Sequence, residues 1–200
     1  MNQLVTLILG GARSGKSAYA EQVAARSGRR VVYVATAVAG DEEMAGRISA
    51  HRAARPQEWV TIEAERDLIG AIAAHARGGD VVLVDCLTLW VSNVLVSEWG
   101  DGGDTLPWAV ASALEERLCI EADELLDRAG QIGADLLLVS NEAGMGLVPP
   151  YPLGRVFRDA LGRVNQTVAR RADQVVLTIA GIAVDLRRLE AMLGGADHQT

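Results

Sequence analysis

Leu4-Val-Thr-Leu-Ile-Leu9 runs without a break into Gly10-Gly-Ala-Arg-Ser-Gly-Lys-Ser17. A largely aliphatic run of this length suits a strand covered on both faces, because neither side of it meets water. The next eight residues satisfy G-x-x-x-x-G-K-[ST], and a helical pattern over 16–26 opens directly behind them, so the motif has the strand-to-helix setting its chemistry needs. Glycines let the backbone curl until successive N–H groups point at one anion, and the positive end of the helix dipole adds to the attraction. Gly10, Gly11, Ala12, Arg13, Ser14 and Gly15 thus form an expected phosphate cradle, with Lys16 bridging the outer phosphates and Ser17 offering a hydroxyl to Mg²⁺. The pattern points to a nucleotide and leaves open which one.

Outward from this stretch, aliphatic runs recur at residues 31–34, 81–84, 136–139 and 175–179. Helical patterns at 41–54, 64–77, 87–96, 107–129 and 153–172 lie between them. Strands alternating with helices predict an α/β fold, a mostly parallel sheet flanked by helices with ligands at the carboxyl ends of its strands. No repeat or linker divides the chain, so one nucleotide-binding domain is expected over 1–193, with a frayed tail over 194–200 and an exposed loop over 100–104.

Composition narrows the function classes. Half of the 200 residues are hydrophobic and 22% are charged, which excludes disorder except at the ends. The net charge of −7, with no run of Lys or Arg, argues against a nucleic acid partner. The longest mostly apolar stretch, 175–184, is interrupted by Thr178 and Gly181 and is about half the ~20 residues a membrane span needs. Leu4 to Leu9 runs into glycines rather than a signal-peptide cleavage site, so a cytoplasmic protein is expected. Cys86 and Cys119 have no metal-ligand spacing and read as core thiols of a reducing compartment.

Three further segments carry candidate chemistry. Asp85 ends the run over 81–84 and is placed either to hold Mg²⁺ or to cap the helix beginning at Leu87. Arg47, His51 and Arg55 recur every four residues and share one helix face. That face reads either as a solvated basic stripe or as a nucleophile: flanking guanidiniums disfavour the imidazolium, keeping His51 neutral, and bind phosphate oxygens. Glu63 is equally a surface residue or an acceptor for the amino and imino groups of guanine, while His75 and His198 read as exposed structural residues. The proline- and glycine-rich connection 140–154 is either a rigid link or a shaped loop with substrate contacts.

The P-loop at 10–17, Arg47-Ile-Ser-Ala-His-Arg-Ala-Ala-Arg-Pro56 with Trp59, Asp85-Cys-Leu-Thr-Leu-Trp90, and Ser140-Asn-Glu-Ala-Gly-Met-Gly-Leu-Val-Pro149 through Gly162-Arg-Val-Asn-Gln166 occur in this order. Together they resemble the bifunctional adenosylcobinamide kinase/adenosylcobinamide-phosphate guanylyltransferase family over nearly the whole chain. The resemblance implies a RecA-like P-loop fold and two reactions in adenosylcobalamin assembly. Adenosylcobinamide takes a phosphoryl group from ATP or GTP; GMP from GTP then passes through His51 to adenosylcobinamide phosphate. It also implies GTP-binding positions at 10–17, Ala35, Thr36, Ala37, Arg52, Ala53, Ala54, Arg55, Glu63 and Asp85, and a homotrimer whose nucleotide site is shared between subunits. Ala50 stands where some relatives carry a second histidine, which leaves His51 alone for the covalent role. Two other readings compete: a P-loop kinase for another small molecule without guanylyl transfer, and a RecA-like nucleotide-dependent switch or assembly ATPase. The absence of a basic patch speaks against a polynucleotide partner for the latter.

Overall fold

The computed structural model describes residues 3–38, 42, 46, 49, 52–53, 55–99 and 107–194. Among them, strands β1 (Val5–Gly10), β2 (Val31–Ala35), β3 (Val60–Glu63), β4 (Val81–Asp85), β5 (Asp135–Asn141), β6 (Gln174–Ile179) and β7 (Ile182–Asp185) form one sheet in the order β3-β2-β4-β5-β1-β6-β7. Every neighbouring pair is parallel except β6 with β7. The helices are α1 (Lys16–Arg26), α2 (Leu68–His75), α3 (Leu87–Trp99), α4 (Trp108–Ile132), α5 (Pro152–Arg171) and α6 (Leu186–Met192).

Successive strand residues bury on opposite faces, which is why the runs are aliphatic throughout. Leu7, Val32, Val34, Val82, Val84, Leu136 and Leu138 pack with α2 to α5, including Trp90 and Leu118. Ile8, Val31, Tyr33, Leu83, Leu137 and Val139 pack on the other face with Ala20 and Ala24 of α1. The α/β expectation therefore holds, with a mostly parallel sheet flanked by helices. β1 and β2 follow one another in the chain yet are separated in the sheet by β5 and β4. Their carboxyl ends, with that of β4, open the crevice where such sheets bind ligands.

Several expected boundaries shift. The helix over 64–77 is only Leu68–His75, because the Asp67 side chain accepts the Gly70 N–H at 2.7 Å and sets its start. The strand expected over 175–179 is found as β6, and the remainder of the apolar 175–184 stretch turns back as β7: Ala180 and Gly181 have φ of 51° and 81°, the left-handed pair that a tight hairpin turn needs. β3, half-buried at the sheet edge, was not expected as a strand. Within 41–54, Glu42, Gly46, Ser49, Arg52 and Ala53 are helical, while Asp41, Arg47, Ala50, His51 and Ala54 lie outside the described residues. The 100–104 loop and residues 195–200, with His198, also lie outside them. No helix among the described residues is long and apolar enough to cross a membrane.

Candidate active site

β1 delivers the chain to Gly10, where a Cβ would lie 2.3 Å from Ser14 Oγ and 2.7 Å from the Thr178 carbonyl oxygen; only glycine fits. The loop then doubles back, with Ser14 N–H donating to the Gly11 carbonyl at 3.3 Å and Gly15 at φ 97°. The β6–β7 hairpin braces it from outside. Ser14 Oγ and Thr178 Oγ1 share a hydrogen bond of 2.8 Å, and Gly181 N–H donates to the Ser14 carbonyl at 2.9 Å. Lys16 and Ser17 begin α1, and Lys16 Nζ donates to the Gly11 carbonyl at 3.2 Å.

β4 carries Asp85 to the same edge. Ser17 Oγ donates to its Oδ1 at 3.4 Å, and the Tyr33 hydroxyl donates to its Oδ2 at 2.7 Å. Among the described residues these two hydroxyls are its side-chain partners, so the carboxylate faces the phosphate loop rather than capping α3. Burial, reinforced by the Asp85 charge, pushes the Tyr33 phenol far above its ordinary range. The same two causes raise the Cys86 thiol.

The exits of β2 and β4 are tied together behind the cavity. Thr36 is fully buried; its Oγ1 donates to the Cys86 carbonyl at 2.8 Å and accepts the Cys86 N–H at 2.7 Å. Arg55 stacks on Tyr33, its Cζ 3.5 Å from the ring centroid, and its buried Nε has no hydrogen-bond partner among the described residues. Arg52 pairs with Glu63 at 3.3 Å, both side chains being exposed. Ala35 and Glu63 are register partners at the ends of β2 and β3.

The result is a cavity of about 420 Å³. It brings together Ala12, Arg13, Lys16, Ser17, Ala35, Ala37, Arg55 and Asp85 of the expected positions. Gly10, Gly11, Ser14 and Gly15 shape the loop beneath it, whereas Thr36, Arg52, Ala53 and Glu63 are not in its wall. Tyr33, Cys86, Thr88, Leu89 and Asn141 complete the lining. Asn141, expected in the 140–154 connection, instead ends β5; Tyr33 reads as strand interior, Thr88 and Leu89 as helix and Cys86 as a core thiol, and the β2–β4 and β4–β5 registers bring them here. Asn141 is fixed through its backbone, its N–H donating to Thr88 Oγ1 at 2.7 Å and its carbonyl accepting Asn165 Nδ2 at 3.0 Å. The following connection is held by Arg155, which donates to the Pro150 carbonyl at 2.8 Å, yet exposes Met145, Leu147, Val148 and Tyr151. His75 ends α2, with its Nδ1 3.0 Å from the Ala71 carbonyl, and takes no part in the cavity.

With this geometry in hand, the similarities become interpretable. A family model described as cobinamide kinase / cobinamide phosphate guanyltransferase matches residues 6–186. The bifunctional adenosylcobalamin biosynthesis protein CobP of Pseudomonas aeruginosa is 42% identical over 181 residues, covering 90% of this chain and 96% of that protein. CobU of Escherichia coli, of the same description, is 41% identical over 184 residues, covering 92% of this chain and all of its own length. CobU of Salmonella typhimurium is 40% identical over the same shares. Among solved structures, the RadB recombinase superposes with a TM-score of 0.50 at 18% identity over 88% of this chain and 74% of its own. An ATPase of a bacterial type III secretion system gives 0.51 at 16% over 88% and 51%. At such identities these two speak to the fold alone.

Proposed function

The chain belongs to the cobinamide kinase / cobinamide phosphate guanyltransferase family, and on that premise we propose how its residues divide the two reactions. It is a bifunctional enzyme of adenosylcobalamin biosynthesis, kinase and guanylyltransferase. In the first reaction the aminopropanol hydroxyl oxygen of adenosylcobinamide bonds to the γ-phosphorus of ATP or GTP. The bridging bond breaks, the nucleoside diphosphate leaves and the hydroxyl proton is released. In the second, a ring nitrogen of His51 bonds to the α-phosphorus of GTP and pyrophosphate departs. A phosphate oxygen of adenosylcobinamide phosphate then displaces the histidine, giving adenosylcobinamide-GDP. Splitting the transfer makes one difficult substitution into two easier ones.

The observation that carries this reading is the shared cavity of Lys16, Ser17, Asp85 and Arg55 at the carboxyl edge of the sheet. Backbone N–H groups of the 10–17 loop and Lys16 bind the phosphates, and Arg55 takes a further phosphate oxygen as a planar fork. Arg52, Ala53, Ala54, Ala35, Thr36, Ala37 and Glu63 complete the proposed nucleotide contacts, with Glu63 taking the guanine edge. Ser17 and Asp85 suit Mg²⁺: two hard oxygen donors 3.4 Å apart fit an ion that takes few protein ligands and completes its shell with phosphates and water. When bound there, Mg²⁺ supplies charge neutralisation for the phosphate oxygens.

We further propose a single domain over 1–193, a cytoplasmic location and a homotrimer; the exposed Met145, Leu147, Val148 and Tyr151 support a surface covered in the assembly. The division of labour is tested by two variants assayed for each reaction. Lys16→Ala loses both. His51→Ala loses guanylyl transfer and retains the kinase reaction; equal loss of both in folded His51→Ala protein would contradict separate roles.

A further inference from the structure

Tyr33 lies within β2 and is 1% exposed, so on burial alone it is a core residue. Its contacts set it apart. The hydroxyl donates to Asp85 Oδ2 at 2.7 Å, and one ring face carries the Arg55 guanidinium at 3.5 Å. Trp59 stacks with the ring, centroids 6.4 Å apart and planes 26° off parallel. Phenylalanine would meet Trp59 equally well, so packing does not explain the hydroxyl.

The carboxylate is held unequally. Oδ2 receives the short bond from Tyr33, whereas Oδ1 receives a longer one, 3.4 Å, from Ser17. A short bond to one oxygen fixes the rotation of the group and leaves the other directed at the phosphate loop. A phenol is protonated near neutral pH, so its hydroxyl donates to the carboxylate rather than accepting from it. Arg55, for its part, has a buried Nε without a partner among the described residues, and the aromatic face is what orients its plane along the cavity wall.

We propose that Tyr33 is a positioning residue joining the two halves of the site: its hydroxyl fixes Asp85 toward the cation, and its ring fixes Arg55 toward the nucleotide phosphates. This rests on the roles given above to Asp85 and Arg55. One side chain thereby couples the P-loop edge of the sheet to the chain segment that carries His51.

The test is calorimetric titration of GTP into the full-length protein, in chelator and across a series of Mg²⁺ concentrations, for wild type, Tyr33→Phe, Tyr33→Leu and Asp85→Asn. Thermal unfolding confirms that each is folded. Tyr33→Phe keeps the ring and loses the donor; its Mg²⁺-free affinity changes less than about twofold, while the Mg²⁺ concentration for half-maximal enhancement rises about tenfold, the usual scale for losing a group that orients a metal ligand. Tyr33→Leu shows the same Mg²⁺ shift and loses about fivefold in Mg²⁺-free affinity as Arg55 loses its support. Wild-type Mg²⁺ dependence in Tyr33→Phe, with or without lowered stability, makes Tyr33 a core residue and overturns the proposal. Wild-type Mg²⁺-free affinity in Tyr33→Leu overturns the Arg55 half; if that variant does not fold, Tyr33→Phe still decides the hydroxyl half. Undiminished Mg²⁺ enhancement in Asp85→Asn overturns instead the assignment of Asp85, and the hydroxyl half with it.

Discussion

Asp80 and Asp85 bracket the same strand, β4, and are treated in opposite ways. At the amino edge, Asp80 is 5% exposed, forms an ion pair with Arg30 and accepts the Arg77 N–H at 2.8 Å. Asp135 beside it is closed likewise, by Arg29 at 2.5 Å and the Leu4 N–H at 2.8 Å, while Asp173 accepts the Val5 N–H at 2.8 Å. At the carboxyl edge Asp85 receives two neutral hydroxyls, while Lys16 turns to the Gly11 carbonyl and Arg55 to the face of Tyr33. A carboxylate matched by the protein's own cation stabilises the fold. Asp85, held by two hydroxyls, has no ion-pair partner among the described residues, the condition under which the proposed cation would find it open.

The contrast yields opposite expectations for two isosteric changes. Asp85→Asn lowers both transfer rates about 10²–10³-fold, the scale for removing one preorganised electrostatic group, and leaves the urea midpoint in place. A lowered midpoint with retained activity would make Asp85 another structural acid. Asp80→Asn does the reverse: stability falls by about 2 kcal/mol, since a mostly buried pair loses one partner while Arg30 remains partly solvated, and the specificity constant for GTP stays within about twofold. Urea unfolding and steady-state kinetics on the same preparations check both.

The smallest effect reads the open charge through a neighbour. Burial, then the Asp85 charge, raises the Cys86 thiol, whereas Cys119 is only half-buried. Near neutral pH, iodoacetamide therefore labels Cys119 first, and Cys86 labelling rises only as pH passes above the ordinary thiol range. Removing the charge in Asp85→Asn lowers the Cys86 thiol and speeds its labelling about twofold to threefold at fixed pH. An unchanged rate would mean that the Asp85 charge is already neutralised.

Much of this was legible in the sequence where one rule acted alone. Runs buried on both faces announced β1, β2, β4, β5 and β6, and the P-loop pattern gave both a strand end and a helix start. β3 and β7 were not: β3 is a half-buried edge strand without such a run, and the aliphatic residues 182–184 of exposed β7 merge into the apolar 175–184 stretch, its turn Ala180-Gly181 being a weak hairpin signal beside Asn-Gly. The site divides in the same way. Lys16, Ser17 and Asp85 stood at recognisable strand and helix ends, whereas Tyr33 looked like any aromatic within a strand. Its role depends on β2 pairing with β4, with Ala35 opposite Asp85, a long-range choice that no local pattern encodes.

The most direct test of guanylyl transfer through His51 is to incubate the protein with Mg²⁺ and GTP labelled in turn at the α and γ phosphates, denature it, and count retained label. A GMP–histidine intermediate predicts retention of α label only, stable in base, labile in acid and absent from His51→Ala. No retained label on folded, nucleotide-binding protein, or α label that persists in His51→Ala, would contradict it.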